Sequence, residues 1–271
     1  MTQLPPLTFS KGTSLETILA ALDEHGVLLM PDYLGAEEVA GLRDEFHRCF
    51  ETREPWVSPL EYKAGRAVSV KFNGLDARFP LTRRTFSGDF MRACTDSYLG
   101  PKNLLNFVIF MTHDQPRPVP INPLHFDKIR TLKFFLYLKD TTADNGAFDA
   151  VPGSHKIAER LMHDHLRRGG RVKDIPNHTY PPELGAPVSI EGPAGTMIVF
   201  TTDVYHRGGV VSPGHERYVM RGHSRTDPPP VYEPKRYTAQ WWRESAFNPM
   251  RYLTGGPPRP VLGAPIEMGA E

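Results

Sequence analysis

Hydrophobic positions near the N-terminus repeat with helical spacing in two stretches. The first stretch has apolar residues at i, i+3, i+4 and i+7, which is the spacing of one helix face: Leu15, Ile18, Leu19 and Leu22. Ser14 is a typical N-cap for this helix, and Gly26 is a typical C-terminal stop. After a short strand at Val27 to Met30, a second helix is predicted beyond Gly35, with Val39, Leu42 and Phe46 on one face. The N-terminal part, about residues 13–100, is therefore predicted to add helices to a core.

From Asn103 onward the pattern changes to short apolar runs separated by glycine and proline turns. These runs are Leu104 to Thr112, Lys133 to Leu138, Val188 to Ile190, Thr196 to Phe200 and Tyr218 to Arg225. The chain holds 23 glycines and 27 prolines, which suits a turn-rich β fold better than a helical bundle. The pattern predicts a mainly β protein with helical additions, built as a sandwich or barrel.

Three segments do not fit a regular strand pattern. Arg53 to Arg84 reads as irregular and mixes aromatic residues with cations, so it is either a solvated loop or a lid over a substrate. Ile157 to Asp174 is basic and predicts a solvated helix. The proline-rich tail, about 227–271, ends the chain, and its Trp241 and Trp242 are expected to pack back on the domain.

Composition narrows the class of protein. The formal net charge of +1 at pH 7 gives no indication of a nucleic-acid partner. The N-terminus lacks the basic and apolar regions of a signal peptide, and no run of about 18 apolar residues predicts a membrane span. Cys49 and Cys94 are expected to be buried thiols. We therefore expect a cytoplasmic protein without a membrane or nucleic-acid partner.

The tripeptide His125-Phe126-Asp127 is the sequence's strongest chemical signal. In an extended segment, His125 and Asp127 share one face while Phe126 points to the other. A lone His-x-Asp arises often by chance, so a second histidine has to complete a site. His206 follows the apolar run Thr196 to Phe200 and is the best candidate. Two histidines and one carboxylate on a triangular face are typical of non-haem Fe(II) oxygenases.

Arg217 lies eleven residues after His206, at the start of the next predicted strand. An arginine in a pocket there can pair bidentately with a carboxylate. The alternative is a surface salt bridge, which is the commoner fate of an arginine. His155, in a Pro-Gly-Ser-His turn, is expected to make a structural hydrogen bond and not to bind a metal.

These residues, taken in order, resemble the phytanoyl-CoA dioxygenase family of Fe(II)- and 2-oxoglutarate-dependent oxygenases. The resemblance runs from about Leu22 to Arg225. It includes two further motifs of the family, an asparagine-glycine pair at Asn145-Gly146 and a proline-glycine-serine-histidine turn at Pro152 to His155. It implies a double-stranded β-helix, the cupin-like jelly roll, with a core at about 103–226 inside one domain of residues 1–271. Leu124 departs from the tryptophan that the family often has before its first metal-binding histidine.

The resemblance also implies a chemistry. Fe(II) would be held by His125, Asp127 and His206, and Arg217 would bind the far carboxylate of 2-oxoglutarate, with O2 as the oxidant. Thr112 and Thr131 are further candidates for contact with 2-oxoglutarate, although threonine is also a common strand residue. The expected reaction is oxidation, above all hydroxylation, of a C–H bond with release of succinate and CO2. Relatives that halogenate lack the carboxylate, so Asp127 argues against halogenation.

Two other classes stay open at this point. A cupin-like hydrolase or isomerase would use a similar metal triad without needing Arg217, and a non-catalytic binding protein would keep only the fold. The substrate is expected to be a small molecule, and the cations and aromatic residues between Trp56 and Arg84 favour an anionic or aromatic one. The oligomeric state is not indicated by the sequence.

Overall fold

The computed structural model describes residues 7–120, 122–128, 131–170, 174–181 and 184–226. The predicted C-terminal extension, with Trp241 and Trp242, lies outside the described residues. Five α-helices are described, α1 (Leu15–His25), α2 (Ala36–Glu51), α3 (Pro80–Phe86), α4 (Asp89–Leu99) and α5 (His155–Arg167), together with a 3-10 turn at Phe72–Gly74. The described strands are β1 (Val27–Met30), β2 (Val57–Leu60), β3 (Gly65–Lys71), β4 (Asn103–Asp114), β5 (Leu132–Tyr137), β6 (Phe148–Ala150), β7 (Val188–Ile190), β8 (Met197–Thr201), β9 (His206–Gly208) and β10 (Arg217–Thr226).

The strands form two antiparallel sheets. The larger sheet has the order β1-β8-β5-β10-β4-β3-β2, and the smaller has the order β7-β6-β9. In the middle of the larger sheet, the neighbours β8, β5, β10 and β4 are not consecutive in the chain, which is the connectivity of a double-stranded β-helix. The mainly β jelly roll with helical additions is the architecture that the sequence predicted.

Two hydrophobic cores lie on opposite faces of the larger sheet. One core joins the helices to the sheet, and Leu22, Phe46 and Met220 belong to it. The other lies between the two sheets and includes Phe135, Phe148 and Val219. Because successive strand residues point to opposite faces, Val219 faces the space between the sheets while Met220 faces the helices.

Helix α1 begins and ends as the sequence predicts. The Ser14 hydroxyl accepts a hydrogen bond from the Thr17 N–H at 3.2 Å. Gly26 adopts a left-handed conformation with φ of 69°, which glycine adopts without a steric penalty. Helix α2 begins after Gly35, and Val39, Leu42 and Phe46 on its predicted apolar face are buried. None of the helices in the described ranges is both long and apolar enough to span a membrane.

The segment from Arg53 to Arg84 is not irregular, so that prediction was wrong. Its strands β2 and β3 extend the larger sheet beyond β4, with Val68 opposite Met111, and α3 follows them. The buried Glu45 on α2 accepts hydrogen bonds from the N–H groups of Leu81 and Thr82 at 2.9 and 2.7 Å. These are first-turn donors of α3 that would otherwise lack partners. Glu45 therefore fixes this helix against α2.

Candidate metal centre

His125, Asp127 and His206 come together at one point between the sheets. One ligand atom from each residue lies within 4.8 Å of the others. The two imidazole rings have their centroids 4.7 Å apart, and His125 Nε2 lies 3.6 Å from Asp127 Oδ1. The three donors thus have the spacing of ligands to one small ion.

Backbone pairing places these side chains. The His125 N–H donates to the His206 carbonyl at 3.1 Å, and the His206 N–H donates to the His125 carbonyl at 2.7 Å. The Asp127 N–H donates to the Thr202 carbonyl at 2.6 Å. His125 therefore extends the smaller sheet by one bridge beside β9, while Phe126 between the two donors is fully buried.

Hydrogen bonds on the far side of each ring fix its orientation. His125 Nδ1 donates to the Pro123 carbonyl at 2.9 Å, and His206 Nδ1 donates to the Val204 carbonyl at 2.7 Å. With the proton on Nδ1, each Nε2 keeps a lone pair for a metal. Metal-binding histidines in proteins almost always make such a bond, so the two rings are oriented as ligands.

Asp127 divides its oxygens between two partners. Oδ2 accepts a hydrogen bond from the Lys133 ammonium at 2.8 Å, which leaves Oδ1 on the histidine side. Burial opposes ionisation of this carboxyl, but the Lys133 ammonium outweighs burial and holds the pKa of Asp127 well below the usual value. Asp127 is therefore an ionised donor that offers one oxygen to a metal.

His206 is neutral over the physiological pH range. Burial disfavours its imidazolium form and lowers its pKa to about 3, although Asp127 opposes the shift. Two neutral imidazoles and one carboxylate are the donor set of the facial triad that binds Fe(II). The residues present thus fit the metal that the sequence predicts.

Ser154 in the Pro-Gly-Ser-His turn supports His206 from behind. Its hydroxyl accepts a hydrogen bond from the N–H of Tyr205 at 2.9 Å, next to His206 in the chain. His155 makes a hydrogen bond between its Nε2 and the Asp23 carbonyl at 2.9 Å, as predicted for a structural residue.

Arg217 is only 3% exposed, so the alternative of a surface salt bridge was wrong. Its Nε donates to Asp114 Oδ2 at 2.8 Å, and its Nη1 donates to the Gly146 carbonyl. Its Nη2 has no hydrogen-bond partner among the described residues and lies 3.3 Å from where a Cβ on Gly208 would be. The outer edge of the guanidinium therefore remains available to a carboxylate beside β9.

The two predicted threonines differ in position. Thr112 is buried on β4, opposite Val219 of β10, and its hydroxyl lies 3.3 Å from Asp114 Oδ2. Thr131 lies at the metal end, where its N–H donates to the Thr202 hydroxyl at 2.9 Å. Thr112 is thus near Arg217, whereas Thr131 contacts Thr202, whose carbonyl accepts a hydrogen bond from the Asp127 N–H.

Asp114, Tyr62 and Lys133 were not predicted from the sequence. Asp114 ends β4 directly opposite Arg217, and the Tyr62 hydroxyl donates to its second oxygen. Burial raises the pKa of Asp114, but Arg217 and Tyr62 outweigh burial and leave it below the usual value. Only Lys133 had a signal in the sequence. It precedes Phe135 by two residues in a predicted strand, so it lies on the same strand face as Phe135, and that face is buried between the sheets.

Comparison with known proteins agrees with this geometry. Residues 111–218 match a family model described as Phytanoyl-CoA dioxygenase (PhyH), and this range contains the three candidate ligands and Arg217. No curated protein sequence matches the chain. The match confirms the predicted resemblance and identifies an enzyme of the Fe(II)- and 2-oxoglutarate-dependent class, with Fe(II), 2-oxoglutarate and O2 as its cofactors.

Solved structures share the fold at low identity. The epimerase SnoN, in complex with Fe3+, alpha ketoglutarate and nogalamycin RO, has a TM-score of 0.58 and 21% identity, with 94% of this chain and 96% of that chain covered. HygX from Streptomyces hygroscopicus, with nickel and 2-oxoglutarate bound, has a TM-score of 0.54 and 17% identity, with coverages of 81% and 91%. AviO1 from Streptomyces viridochromogenes Tue57 has a TM-score of 0.56 and 14% identity, with coverages of 81% and 98%.

Proposed function

We propose that this chain, with a phytanoyl-CoA dioxygenase domain over residues 111–218, oxidises a C–H bond of a small molecule at an Fe(II) ion held by His125, Asp127 and His206. The observation that carries the proposal is the orientation of the three donors. The Nδ1 atoms of both histidines are hydrogen-bonded to backbone carbonyls, which leaves Nε2 of each ring for a metal. One ligand atom of each of the three residues lies within 4.8 Å of the others. The facial arrangement leaves the remaining coordination positions of the metal for other ligands.

When bound, the metal, 2-oxoglutarate and O2 supply a two-electron oxidation in which the keto acid becomes succinate and CO2. The protein's contribution is binding, orientation and exclusion of water. Lys133 holds the second oxygen of Asp127, and the buried rings of Phe148 and Phe200 pack near His206, with centroids 5.6 and 5.1 Å away. These contacts keep the donors fixed in an apolar surrounding.

Arg217 is proposed to bind the far carboxylate of 2-oxoglutarate. Its Nε and Nη1 are held by Asp114 and by Gly146, whose φ of 85° belongs to the Asn-Gly turn. This leaves Nη2 and the outer edge of a fixed guanidinium fork, whose geometry matches a carboxylate. Thr112, beside the same pair, is proposed as a second contact, and Thr131 as a contact nearer the metal.

Hydroxylation is the reaction that we propose, because Asp127 supplies the carboxylate that halogenating relatives lack. The similar fold of the epimerase SnoN shows that the product has to be measured. A hydroxylated product is heavier than its substrate by one oxygen atom, whereas an epimer has the same mass. Mass spectrometry of the product distinguishes the two.

The substrate is proposed to be a small natural product or metabolite. One HygX structure holds hygromycin B, and one SnoN structure holds nogalamycin RO. The test is a succinate-release screen of a small-molecule library with Fe(II), ascorbate and 2-oxoglutarate, with His206→Ala as the control. Succinate release that needs a library compound and is lost in His206→Ala supports the proposal. Turnover of a compound without 2-oxoglutarate would instead favour a cupin-like hydrolase or isomerase, and no turnover would favour a binding protein.

A further inference from the structure

One face of β10 carries a row of basic residues into the space between the sheets. Val219 on this face belongs to the core between the sheets, whereas Ser224 on the opposite face lies 3.5 Å from Thr95 of α4. Alternation therefore gives the inner face a set of four basic residues: Arg217, Arg221, His223 and Arg225.

The carboxylates described on this inner face are already used. Asp114 pairs with Arg217 at 2.8 Å, and Asp127 pairs with Lys133 at 2.8 Å. Arg221 makes no ion pair and no hydrogen bond with any described residue. Its Nε, together with His223 Nε2 and Arg225 Nη1, is buried without a hydrogen-bond partner in the part of the chain that the structure describes.

Arg221 is partly exposed, and aromatic rings offset only part of the cost of burying its Nε. Its guanidinium carbon lies 5.9 Å from the Phe110 ring centroid and 5.6 Å from that of Phe135. Cation–π contacts stabilise a cation but satisfy none of its N–H donors. A buried N–H of a guanidinium without an acceptor is costly. Because the rest of the Arg221 side chain is partly exposed, a ligand can reach it, and the arrangement points to a ligand that supplies the acceptor.

The position of Arg221 relates such a ligand to the metal centre. His223 is opposite Lys133 in the sheet, and Lys133 holds Asp127, so this end of β10 is next to the metal. Arg221 is one step along the same face, about 7 Å away, between His223 and Arg217. A ligand bound to Arg221 would therefore lie on the same inner face of β10 as the proposed 2-oxoglutarate arginine, on the side of that arginine that is nearer to Lys133 and Asp127.

We infer that Arg221, assisted by His223, binds an oxyanion group of the substrate, either a carboxylate, a sulfonate or a phosphate. This inference rests on the proposed function, because it assigns the substrate class of the same cavity. Arg221 presents donors to oxygen and is flanked by Phe110 and Phe135, so an anion attached to an apolar body fits it better than a neutral molecule does.

The test compares four compounds that share a phenyl ring. Three carry an anionic group, namely benzoate, benzenesulfonate and phenylphosphonate, and the fourth, benzamide, is the neutral control. Each is titrated by calorimetry into protein loaded with Mn(II) and 2-oxoglutarate. At least one anion is expected to bind wild type roughly thirty-fold or more tightly than benzamide does. Arg221→Met should abolish this preference, and Arg221→Lys should retain part of it.

Two controls separate binding from folding and from the cosubstrate. Arg92→Met removes a cation that pairs with Asp96 on α4 at 2.9 Å, and it should keep the wild-type preference for anions. Arg221→Met without ligand should melt at a higher temperature than wild type, because a cation without an acceptor has been removed. Its affinity for 2-oxoglutarate should stay within about three-fold of wild type.

The inference is overturned if no anion binds better than benzamide, or if Arg221→Met keeps the preference. It is also overturned if Arg221→Met loses 2-oxoglutarate as Arg217 variants do, since Arg221 would then belong to the cosubstrate site. If Arg221→Met does not fold, the wild-type comparison of anions with benzamide, together with Arg221→Lys, decides the question. Failure of the proposed function gives a different result, namely no Mn(II)-dependent binding of 2-oxoglutarate to wild type.

Discussion

Replacing Arg217 by methionine should damage the fold and the cosubstrate site together, and the structure allows the two effects to be separated. Arg217 is buried, and its partner Asp114 is 1% exposed. Removing one member of a buried ion pair costs about 3–5 kcal/mol, because the other charge remains buried. For a domain of this size, each kcal/mol lowers the melting temperature by about 2–4 °C, so Arg217→Met should melt about 6–20 °C below wild type.

The double variant Asp114→Asn/Arg217→Met removes the uncompensated charge. Tyr62 donates to Asp114 and can donate to the asparagine oxygen, so most of the lost stability should return. Affinity for 2-oxoglutarate should not return, because the guanidinium fork is still missing. Loss of one partner of a buried charge pair predicts an affinity lower by roughly thirty- to several-thousand-fold.

The assays are thermal melting and calorimetric titration of 2-oxoglutarate into Mn(II)-loaded protein. Asp114→Asn alone serves as the matched control, because it keeps Arg217. If the stable double variant binds 2-oxoglutarate like wild type, Arg217 is a structural residue only. The cosubstrate would then have to be bound elsewhere on β10.

Three further predictions follow from other contacts. Asp127→Ala and His206→Ala should each lower the affinity for Mn(II) at least about a hundred-fold, which is more than the loss expected when a residue that only hydrogen-bonds to a metal ligand is changed. The affinity is measured by calorimetric titration of Mn(II), and a variant with wild-type affinity would show that its residue is not a ligand. His223 has a pKa held well below its usual value by burial and then by Lys133 and Arg221, so its stabilising contribution is complete above the unfolded pKa near 6.5 and is lost as pH falls. Between pH 7 and pH 5, the free energy of unfolding in urea should therefore fall further for wild type than for His223→Gln, and equal losses would contradict the assignment. Glu45→Ala leaves the N–H groups of Leu81 and Thr82 without their acceptor and should cost about 2–5 kcal/mol in urea unfolding, whereas Glu45→Gln, which keeps one oxygen, should lose less; equal losses would show that the acceptor is not what matters.

The parts of the fold with a clear periodicity were predictable from the sequence. The stripe from Leu15 to Leu22 lies on α1, and the run from Leu104 to Thr112 lies within β4. The spacing of His125, Asp127 and His206 predicted which side chains meet, because the tripeptide fixes two donors on one face and the family motif identifies the third. Local pattern and ordered motifs were sufficient for these features.

Features that depend on partners far apart in the chain were not predictable. Residues 65–71 form a strand because β4 is available to pair with them, and residues 57–60 pair in turn with that strand. Pro59, Arg66 and Lys71 weaken the strand pattern of these residues in the sequence. The ion pair between Asp114 and Arg217 joins residues 103 positions apart. Arg221 is read from the sequence as one of many arginines, and only the fold shows that it lies on the inner face of β10 with a buried Nε that has no hydrogen-bond partner among the described residues.

The most direct test of the central claim is titration of 2-oxoglutarate into the protein with and without Mn(II), under anaerobic conditions. If His125, Asp127 and His206 hold a metal that the keto acid chelates, wild type should bind 2-oxoglutarate tightly only when the metal is present. Asp127→Ala should bind it weakly in both conditions. Equal affinity with and without metal, or wild-type affinity in Asp127→Ala with metal, would contradict the account.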